Sequence, residues 1–356
     1  MSPVAAKLQQ VSSRWLIDLL GLPQGSGCFF VGGATVANLC GVVAGRDALL
    51  AAAGHDAAGQ GLIGAPPIRV LSGAATHSTT SKILSIAGIG RDRLEAVDAD
   101  DQGRLRAERL PTVDGPALVL AQAGEVNTGA FDPLDDLADW AEERRASGRG
   151  PTWVHMDGAF GLWAAASPRH RHLTAGLGRL DSWATDGHKW LNVPYDCGIV
   201  MVRDPAALRR SMSAQAAYLV DGDVLEPMHH TPQSSQRARC IEVWAALRSL
   251  GREGIAELID RCCRHATRFA EGLAEAGFEV LNDVVLNQVV FALPQEEHTE
   301  RVMAAVQRGG AAWLGPTRFG GRFAMRISVS SWATTEDDVE VTITALANAA
   351  SEVAGV

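Results

Sequence analysis

Lysine is almost absent from this 356-residue chain, which has Lys7, Lys82 and Lys189 among its 32 lysines and arginines. Tyrosine is as scarce, since Tyr195 and Tyr218 are its only two copies. Arginine therefore carries most of the positive charge, and a lysine kept next to apolar residues, as Lys189 is, calls for a chemical reason. The shortage of tyrosine also limits which side chains can supply a phenolic proton.

Further absences exclude several classes of protein. The formal net charge of −9 argues against nucleic acid as a partner. No run of about 18 apolar residues is present, so we expect neither a membrane-spanning helix nor a membrane partner. The start of the chain does not read as a secretory signal, and we expect a cytoplasmic protein. The six cysteines lack C-x-x-C spacing, which predicts reduced, mostly buried thiols and no metal site.

The order of apolar and polar segments predicts an α/β fold. Short apolar runs, typical of parallel strands buried on both faces, alternate with longer helix-like stretches. The predicted strands are Cys28–Val31, Ile68–Ser72, Ala117–Gln122, Trp153–Asp157, Ser182–Asp186 and Gly198–Val202. The predicted helices between them are Thr35–Ala53, Thr79–Ala87 and Leu134–Ala146.

After about Arg203 the pattern changes to that of a smaller α+β domain. Two long amphipathic helices, three strands and a last helix are predicted, at Arg237–Leu250, Ile255–Ala276, Phe278–Leu281, Gln288–Leu293, Phe323–Val329 and Glu336–Val353. The polar stretch Val220–Ser235 is the best candidate for a long loop. We therefore divide the chain into an N-terminal helical segment (1–22), a large domain (23–250) and a C-terminal small domain (251–356).

The first candidate site residue is Lys189, which follows the predicted strand Ser182–Asp186 through Gly187 and His188. Ligands of open α/β sheets bind beyond the carboxyl ends of strands. Beside Trp190 the amine of Lys189 is expected to be partly desolvated, and a desolvated amine can attack an aldehyde. On this segment alone, a surface lysine on a loop fits at least as well.

Asp157 ends another predicted strand and is followed by Gly158 and Ala159. A carboxylate at this place can pair with a protonated ring nitrogen, and small residues after it let a flat ring approach the backbone. Capping of the next helix is the alternative role for the aspartate.

Two further motifs follow strands. Gly33-Ala34-Thr35 combines a glycine turn with the start of a helix, where N–H groups and the helix dipole favour an anion such as phosphate; a simple helix cap fits equally well. His77 lies just after the Ile68–Ser72 strand, where an imidazole can stack on a ring and help proton transfer, although a lone histidine is more often structural.

In this order the motifs resemble the group II pyridoxal-phosphate-dependent decarboxylases, which have the aspartate-aminotransferase fold (fold type I). The H-V-D-A-A segment of that family corresponds to 155–159, and its N-P-H-K-W segment corresponds to 186–190. The family's phosphate loop matches Gly33-Ala34-Thr35, and its ring-stacking histidine matches His77. The resemblance covers nearly the whole chain, and it is more specific for the cofactor than for the reaction.

The resemblance implies a role for each matched residue and a three-layer large domain with a mostly parallel sheet that binds pyridoxal 5′-phosphate. Lys189 would form the Schiff base, Asp157 would pair with the pyridine nitrogen, and Ala159 and His77 would pack on the ring. The phosphate would be held by the loop from Gly33, with Ala34, Thr35, Asp186 and His188 as its contacts. A homodimer acting on a small amino-acid substrate is implied as well.

Three departures from the family pattern bear on the reaction. About ninety residues usually precede the segment that matches Ser2–Pro23 and line the substrate pocket, so either the protein starts earlier than Met1 or its pocket is built differently. A threonine pair near the cofactor is replaced by Glu125-Val126-Asn127, with Asn127 as the nearest substitute.

The third departure is the catalytic loop tyrosine of aromatic-amino-acid decarboxylases, which has no counterpart between 224 and 230. His229 or His230 is a candidate proton donor in its place, and two solvated loop histidines are the alternative. Arg326 lies where related transaminases bind a substrate carboxylate, a role that suits a guanidinium fork, although a structural role is also open.

The sequence thus predicts decarboxylation of an L-amino acid to its amine and carbon dioxide. The alternatives are another reaction on the same cofactor (transamination, oxidative deamination or carbon–carbon bond formation) and a catalytically inactive relative. The identity of the amino acid is left open.

Overall fold

The computed structural model describes residues 2–213 and 226–355. Most of the chain forms three layers around a seven-stranded sheet whose order is β1-β7-β6-β5-β4-β2-β3. The strands are β1 (Gly27–Val31), β2 (Arg69–Gly73), β3 (Leu94–Val97), β4 (Ala117–Gln122), β5 (Thr152–Asp157), β6 (Ser182–Asp186) and β7 (Gly198–Val202). The strands β2 to β6 are parallel, and β7 runs antiparallel to both of its neighbours. The α/β class and the mostly parallel sheet are confirmed.

Helices cover both faces of this sheet because its strands are apolar on both sides. The helices of this part are α1 (Pro3–Leu19), α2 (Gly33–Ala52), α3 (Ala57–Gln60), α4 (Thr79–Ile86), α5 (Leu134–Ala146), α6 (Gly187–Trp190) and α7 (Pro205–Met212). One face packs against α1, α5 and a later helix, α8 (Cys240–Glu275). The other face packs against α2, α4 and α7.

Among the described helices, α2 alone has the length and apolar composition of a membrane span. It lies against the sheet, and its buried residues include Ala37, Cys40 and Leu49. Its apolar character is therefore that of a core helix. All six cysteines lie in the described part of the chain, where they are buried and unpaired.

The C-terminal part is a four-stranded antiparallel sheet with helices on one side, in the order β10-β11-β9-β8. Its strands are β8 (Glu279–Val280), β9 (Gln288–Ala292), β10 (Gly315–Phe319) and β11 (Arg322–Ser328), and its helices are α9 (Glu296–Gly309) and α10 (Glu336–Ala354). The two helices predicted on either side of Leu250 are confirmed, since α8 consists of two helical stretches separated by a break at Gly251, whose backbone is non-helical (φ 62°). The domain boundaries at 22 and 250 stay predictions.

Within the predicted loop at 220–235, residues 220–225 lie outside the described residues. The described part contains a short 3₁₀ turn, Pro227–His229. His229 and His230 are both buried there, which differs from the expectation of solvated loop side chains. The ring of His230 stacks on Phe29 at 4.4 Å between centroids.

Candidate active site

The carboxyl ends of β1, β2, β4, β5 and β6 meet at one edge of the large sheet, because these strands run in the same direction. A cavity of about 370 Å³ lies at this edge. It is lined by Gly33, Ala34, Thr35, Asn38, His77, Thr79, Gln122, Gly124, Val126, Asp157, Ala159, Phe160, Asp186, His188, Lys189, Tyr195 and Asp196. Every cofactor-binding residue predicted from the sequence except Asn127 is in this set.

Lys189 enters the cavity from α6, the single helical turn that follows β6. Its Nζ lies 3.2 Å from Oδ2 of Asp186 and 4.4 Å from the ring centroid of Phe160. Trp190 anchors the turn, since its Nε1 donates to the carbonyl oxygen of Phe160 at 2.9 Å. The amine is thus held between a carboxylate and an aromatic face, with about a quarter of the side chain exposed.

Asp157 stands at the end of β5, where its Oδ1 accepts a hydrogen bond from the N–H of Ala159 at 3.1 Å. Burial raises the pKa of Asp157, and this rise is opposed in part by the Ala159 N–H and by the charges of Lys189 and His77. A cation placed beside the carboxylate would keep it ionised.

His77 is fixed in orientation by two neighbours that also line the cavity. Its backbone N–H donates to Oε1 of Gln122 at 3.1 Å. The backbone N–H of Thr79 donates to Nδ1 of the ring at 3.3 Å, and the Thr79 hydroxyl lies 2.7 Å from the same atom. Because a backbone N–H is only a donor, Nδ1 is an acceptor, and the ring proton of neutral His77 sits on Nε2.

The N-terminus of α2, the predicted anion cradle, also lines the cavity through Gly33, Ala34 and Thr35. Among the described residues no side chain caps this helix, and its first turn has no acidic residue. Gly33 has a positive φ of 78°. Its backbone packs so closely against Gly198 that a Cβ atom on Gly198 would overlap the carbonyl group of Gly33. Helix N–H groups and the helix dipole favour a bound anion at such a terminus.

His188 completes this side of the cavity. Its Nδ1 lies 3.2 Å from the backbone nitrogen and 3.1 Å from the carbonyl oxygen of Cys197, and its Nε2 lies 3.6 Å from Oδ2 of Asp186. The ring of Tyr195 lies over that of His188, with 4.0 Å between centroids. Sequence reasoning missed Tyr195, although its position soon after Lys189 was a usable signal.

The prediction for Asn127 needs correction. Its amide donates to Oε1 of Glu125 at 3.1 Å and accepts from the hydroxyl of Thr317 at 2.6 Å, so the side chain is held outside the cavity. The neighbouring Val126 lines the cavity instead. Glu125, which stands where the family has its threonine pair, is buried. Its side-chain oxygen accepts hydrogen bonds from the N–H groups of Asn127 and Thr128, and these bonds stabilise the buried carboxyl group.

The histidines considered as proton donors and the arginine considered for binding a substrate carboxylate also lie elsewhere. His229 contacts Ser213 at 3.2 Å and His230 contacts the carbonyl of Glu226 at 2.7 Å, and neither lines the cavity. Arg326 donates to the carbonyl oxygen of Val126 at 2.6 Å and stands behind the cavity wall. In this conformation Arg326 therefore supports the wall and does not face the cavity.

Comparison with known proteins assigns the family. The model of the pyridoxal-dependent decarboxylase conserved domain matches residues 1–294. The chain belongs to the pyridoxal-dependent decarboxylase family. Pyridoxal phosphate is therefore the cofactor that this cavity has to accommodate.

Individual relatives agree with the family. An aromatic-L-amino-acid decarboxylase of Drosophila lebanonensis is 29% identical over 294 residues, which are 79% of this chain and 71% of that protein. Human cysteine sulfinic acid decarboxylase is 29% identical over 306 residues, which are 82% of this chain and 60% of that protein. The chain spans 54% to 60% of the length of the acidic-amino-acid and cysteine sulfinic acid decarboxylases that it matches.

The fold agrees as well. The crystal structure of Oryza sativa TDC with PLP and tryptamine superimposes with a TM-score of 0.88 and 26% identity, over 99% of this chain and 77% of that one. The residues of the cavity fit pyridoxal phosphate. They offer an amine for its aldehyde, a buried carboxylate for its ring nitrogen, a helix N-terminus for its phosphate and an imidazole that can cover its ring.

Proposed function

We propose that this protein decarboxylates an L-amino acid, with Lys189 as the residue that binds the aldehyde of pyridoxal phosphate. The observation that supports this most directly is the convergence of Lys189 and Asp157 on the one cavity that the N-terminus of α2 also enters. The chemistry supplied by pyridoxal phosphate, when bound, is an electron sink for the pair left at Cα as carbon dioxide departs.

The chain's own residues orient the reactants and manage charge. Asp157 would keep the ring nitrogen protonated and so strengthen the electron sink, because a buried carboxylate is most stable beside a cation. His77, held by Gln122 and Thr79, would cover the ring and has its Nε2–H as a donor at the cavity. After decarboxylation Cα needs a proton, and we propose that the amine of Lys189 or the imidazole of His77 delivers it.

We propose that the working enzyme is a homodimer, as its resemblance to the group II decarboxylases implies, and that it is cytoplasmic. The matched relatives are named for aromatic, acidic and sulfinic amino-acid substrates. A panel of L-amino acids covering these classes is therefore part of the test.

The test compares Lys189→Arg with Lys82→Arg, since Lys82 is an exposed lysine on α4. Both proteins are loaded with pyridoxal phosphate, reduced with borohydride and digested, and the adduct is mapped by mass spectrometry. We expect the adduct on Lys189 in the wild type and in Lys82→Arg. We expect no adduct and no amine production in Lys189→Arg.

Products measured across the panel separate the competing functions. Carbon dioxide with the corresponding amine supports the proposal. Aldehyde or keto acid in place of amine would assign another reaction on the same cofactor. An adduct on Lys189 without any product would make the protein an inactive relative, and an adduct on a different lysine would refute the assignment of the site.

A further inference from the structure

Asp186 carries a buried oxygen that has no hydrogen-bond partner among the described residues. The residue is 2% exposed, and Oδ1 is the unpaired atom. Oδ2 faces Nζ of Lys189 at 3.2 Å and Nε2 of His188 at 3.6 Å. Because an unpaired buried acceptor costs free energy, a ligand that fills the cavity is favoured if it brings a donor to Oδ1.

The unpaired oxygen lies beside the anion cradle. A Cβ atom placed on Gly33, the first residue of α2, would be 4.0 Å from Oδ1 of Asp186 and 3.9 Å from Cε1 of His188. An anion held at this helix terminus is therefore a close neighbour of the carboxylate. The family's N-P-H-K-W segment has asparagine at this position, and an amide can donate to an anion whereas an ionised carboxylate cannot.

The other charged groups around Asp186 do not remove this conflict. Lys189 and His188 face the opposite oxygen, Oδ2. Asp157 on β5 adds a second carboxylate that interacts with Asp186, and the thiol of Cys197, just before β7, contributes no positive charge. Arg239 lies close to Gly32, the N-cap of α2, but its charge is paired with that of Asp196 at 3.0 Å. A phosphate with two negative charges has no donor for Oδ1, so the two anionic oxygens would repel each other. A phosphate with one negative charge keeps an O–H group, which can donate a hydrogen bond to Oδ1.

We propose that Asp186 binds the phosphate of the cofactor through a shared proton, so that this protein takes up the singly charged form of the phosphate ester. The inference rests on pyridoxal phosphate occupying this cavity. The phosphate O–H donates to Oδ1, and no bond between heavy atoms forms or breaks. A hydrogen bond of this kind, from O–H to a charged oxygen, is short and strong. A phosphate monoester loses its second proton near pH 6, so binding weakens as the pH rises above that value.

Binding of pyridoxamine 5′-phosphate, measured by calorimetry at pH 5.5 and pH 8, tests the proposal without catalysis or reaction with Lys189. Pyridoxamine, which lacks the phosphate, corrects for titration of the ring and the amine. For the wild type we expect the phosphate's contribution to affinity to fall by about tenfold or more between pH 5.5 and pH 8. For Asp186→Asn, which restores the family's residue, we expect a change below about threefold, because the amide donates to either form of the phosphate.

Phosphorus NMR of the wild-type complex gives a readout that needs no variant. We expect the bound phosphate to show the resonance of the singly protonated ester at pH 7.5, where the free ligand is mostly doubly charged. The resonance of the doubly charged ester at that pH would overturn the shared proton and leave the cofactor site intact. The same pH dependence in Asp186→Asn as in the wild type would overturn it too. Failure of pyridoxamine phosphate to bind at either pH would overturn the cofactor assignment together with this inference.

Discussion

At the scale of single residues, His155 shows how the floor of the cavity is held. It is buried, with Nδ1 2.7 Å from the Ser182 hydroxyl and Nε2 2.8 Å from Oδ1 of Asn38, which lines the cavity. Trp153 Nε1 donates to the same hydroxyl at 2.9 Å, and in the neutral ring the Ser182 hydroxyl donates to Nδ1 while Nε2–H donates to Asn38. Burial of the imidazole favours this neutral ring.

The neutral ring predicts a pH dependence of stability. Burial lowers the pKa of His155 to about 3, whereas a histidine in the unfolded chain titrates near pH 6.5. Below about pH 6.5 the unfolded state therefore binds one more proton than the folded state. The free energy of unfolding should fall by up to about 1.4 kcal/mol per pH unit between about pH 6 and pH 4 from this residue, and should be unaffected above pH 7. His155→Gln should show a smaller loss of stability than the wild type between pH 7.5 and pH 5, as measured by urea unfolding.

His172→Gln is the matched control for this prediction, since His172 is exposed. It should keep the pH dependence of the wild type. An unchanged slope in His155→Gln would mean that the ring takes up its proton in the folded state without penalty, and the account of the cavity floor would then be wrong.

At the scale of elements, α2 approaches β5 so closely that two of its glycines are required. A Cβ at Gly41 would overlap the ring of His155, and one at Gly45 would lie 2.6 Å from Cδ1 of Trp153. Alanine favours a helix over glycine by about 1 kcal/mol, but a clash in a packed core costs about 1 to 3 kcal/mol. Gly41→Ala should therefore lower the free energy of unfolding and, by displacing the cradle at the N-terminus of α2, weaken cofactor binding.

Gly309→Ala in α9 isolates the steric effect, because a Cβ at Gly309 meets nothing within 4 Å. This variant should be as stable as the wild type or more stable by about 0.5 to 1 kcal/mol. Urea unfolding measures the free energy of unfolding of the two variants, and titration with the cofactor measures their affinity for it. Equal stability of Gly41→Ala and the wild type would show that the helix moves away from β5 without cost.

Elements that the sequence revealed are those with a strong pattern of burial. Strands such as β4 and β7 are buried at every residue, and they were predicted with their observed bounds. The sequence did not reveal β3, β10 and α9. In β3 Val97 alone is buried, β10 is an edge strand that contains Pro316, and α9 buries only Thr299, Val302 and Val306 of its 14 residues. Weak burial leaves a weak pattern, so these elements depend on tertiary contacts.

The residues of the candidate site also divide into those that the local sequence pattern revealed and those that depend on tertiary contacts. Asp157 and Lys189 were found because Asp157 is the last residue of a buried strand and Lys189 lies three residues after another. Gln122 and Thr79 act through His77, and nothing in their local sequence marks that contact. Asn127 was misplaced because its amide is drawn to Glu125 and Thr317, and the latter is 190 residues away along the chain.

At the scale of the whole molecule, the C-terminal sheet supports the cavity wall. The loop 124–129 contributes Val126 to the cavity lining. Three polar groups of this loop accept hydrogen bonds from residues of the C-terminal part. Arg326 of β11 donates to the carbonyl of Val126 at 2.6 Å, Thr317 of β10 donates to Asn127, and Asn282 donates to the carbonyl of Thr128 at 3.1 Å. The two sheets are therefore coupled at the site.

This coupling predicts that Arg326→Gln weakens cofactor binding although Arg326 does not line the cavity. A hydrogen bond to a charged group contributes about 1.5 to 3 kcal/mol, and about 1.4 kcal/mol corresponds to a tenfold change in affinity. If half of this free energy is lost from cofactor binding, the affinity should fall by about three- to tenfold. Arg322→Gln on the same strand is the control. Arg322 forms an exposed ion pair with Glu279 at 2.7 Å and donates to the carbonyl oxygen of Leu293 at 2.8 Å. Neither partner lines the cavity, so cofactor affinity should not change. Equilibrium dialysis of pyridoxal phosphate against both variants, with unfolding curves to confirm that both are folded, measures the difference. If the two variants lose affinity equally, the effect comes from the stability of the C-terminal sheet, and the Arg326–Val126 contact has no separate role in holding the wall.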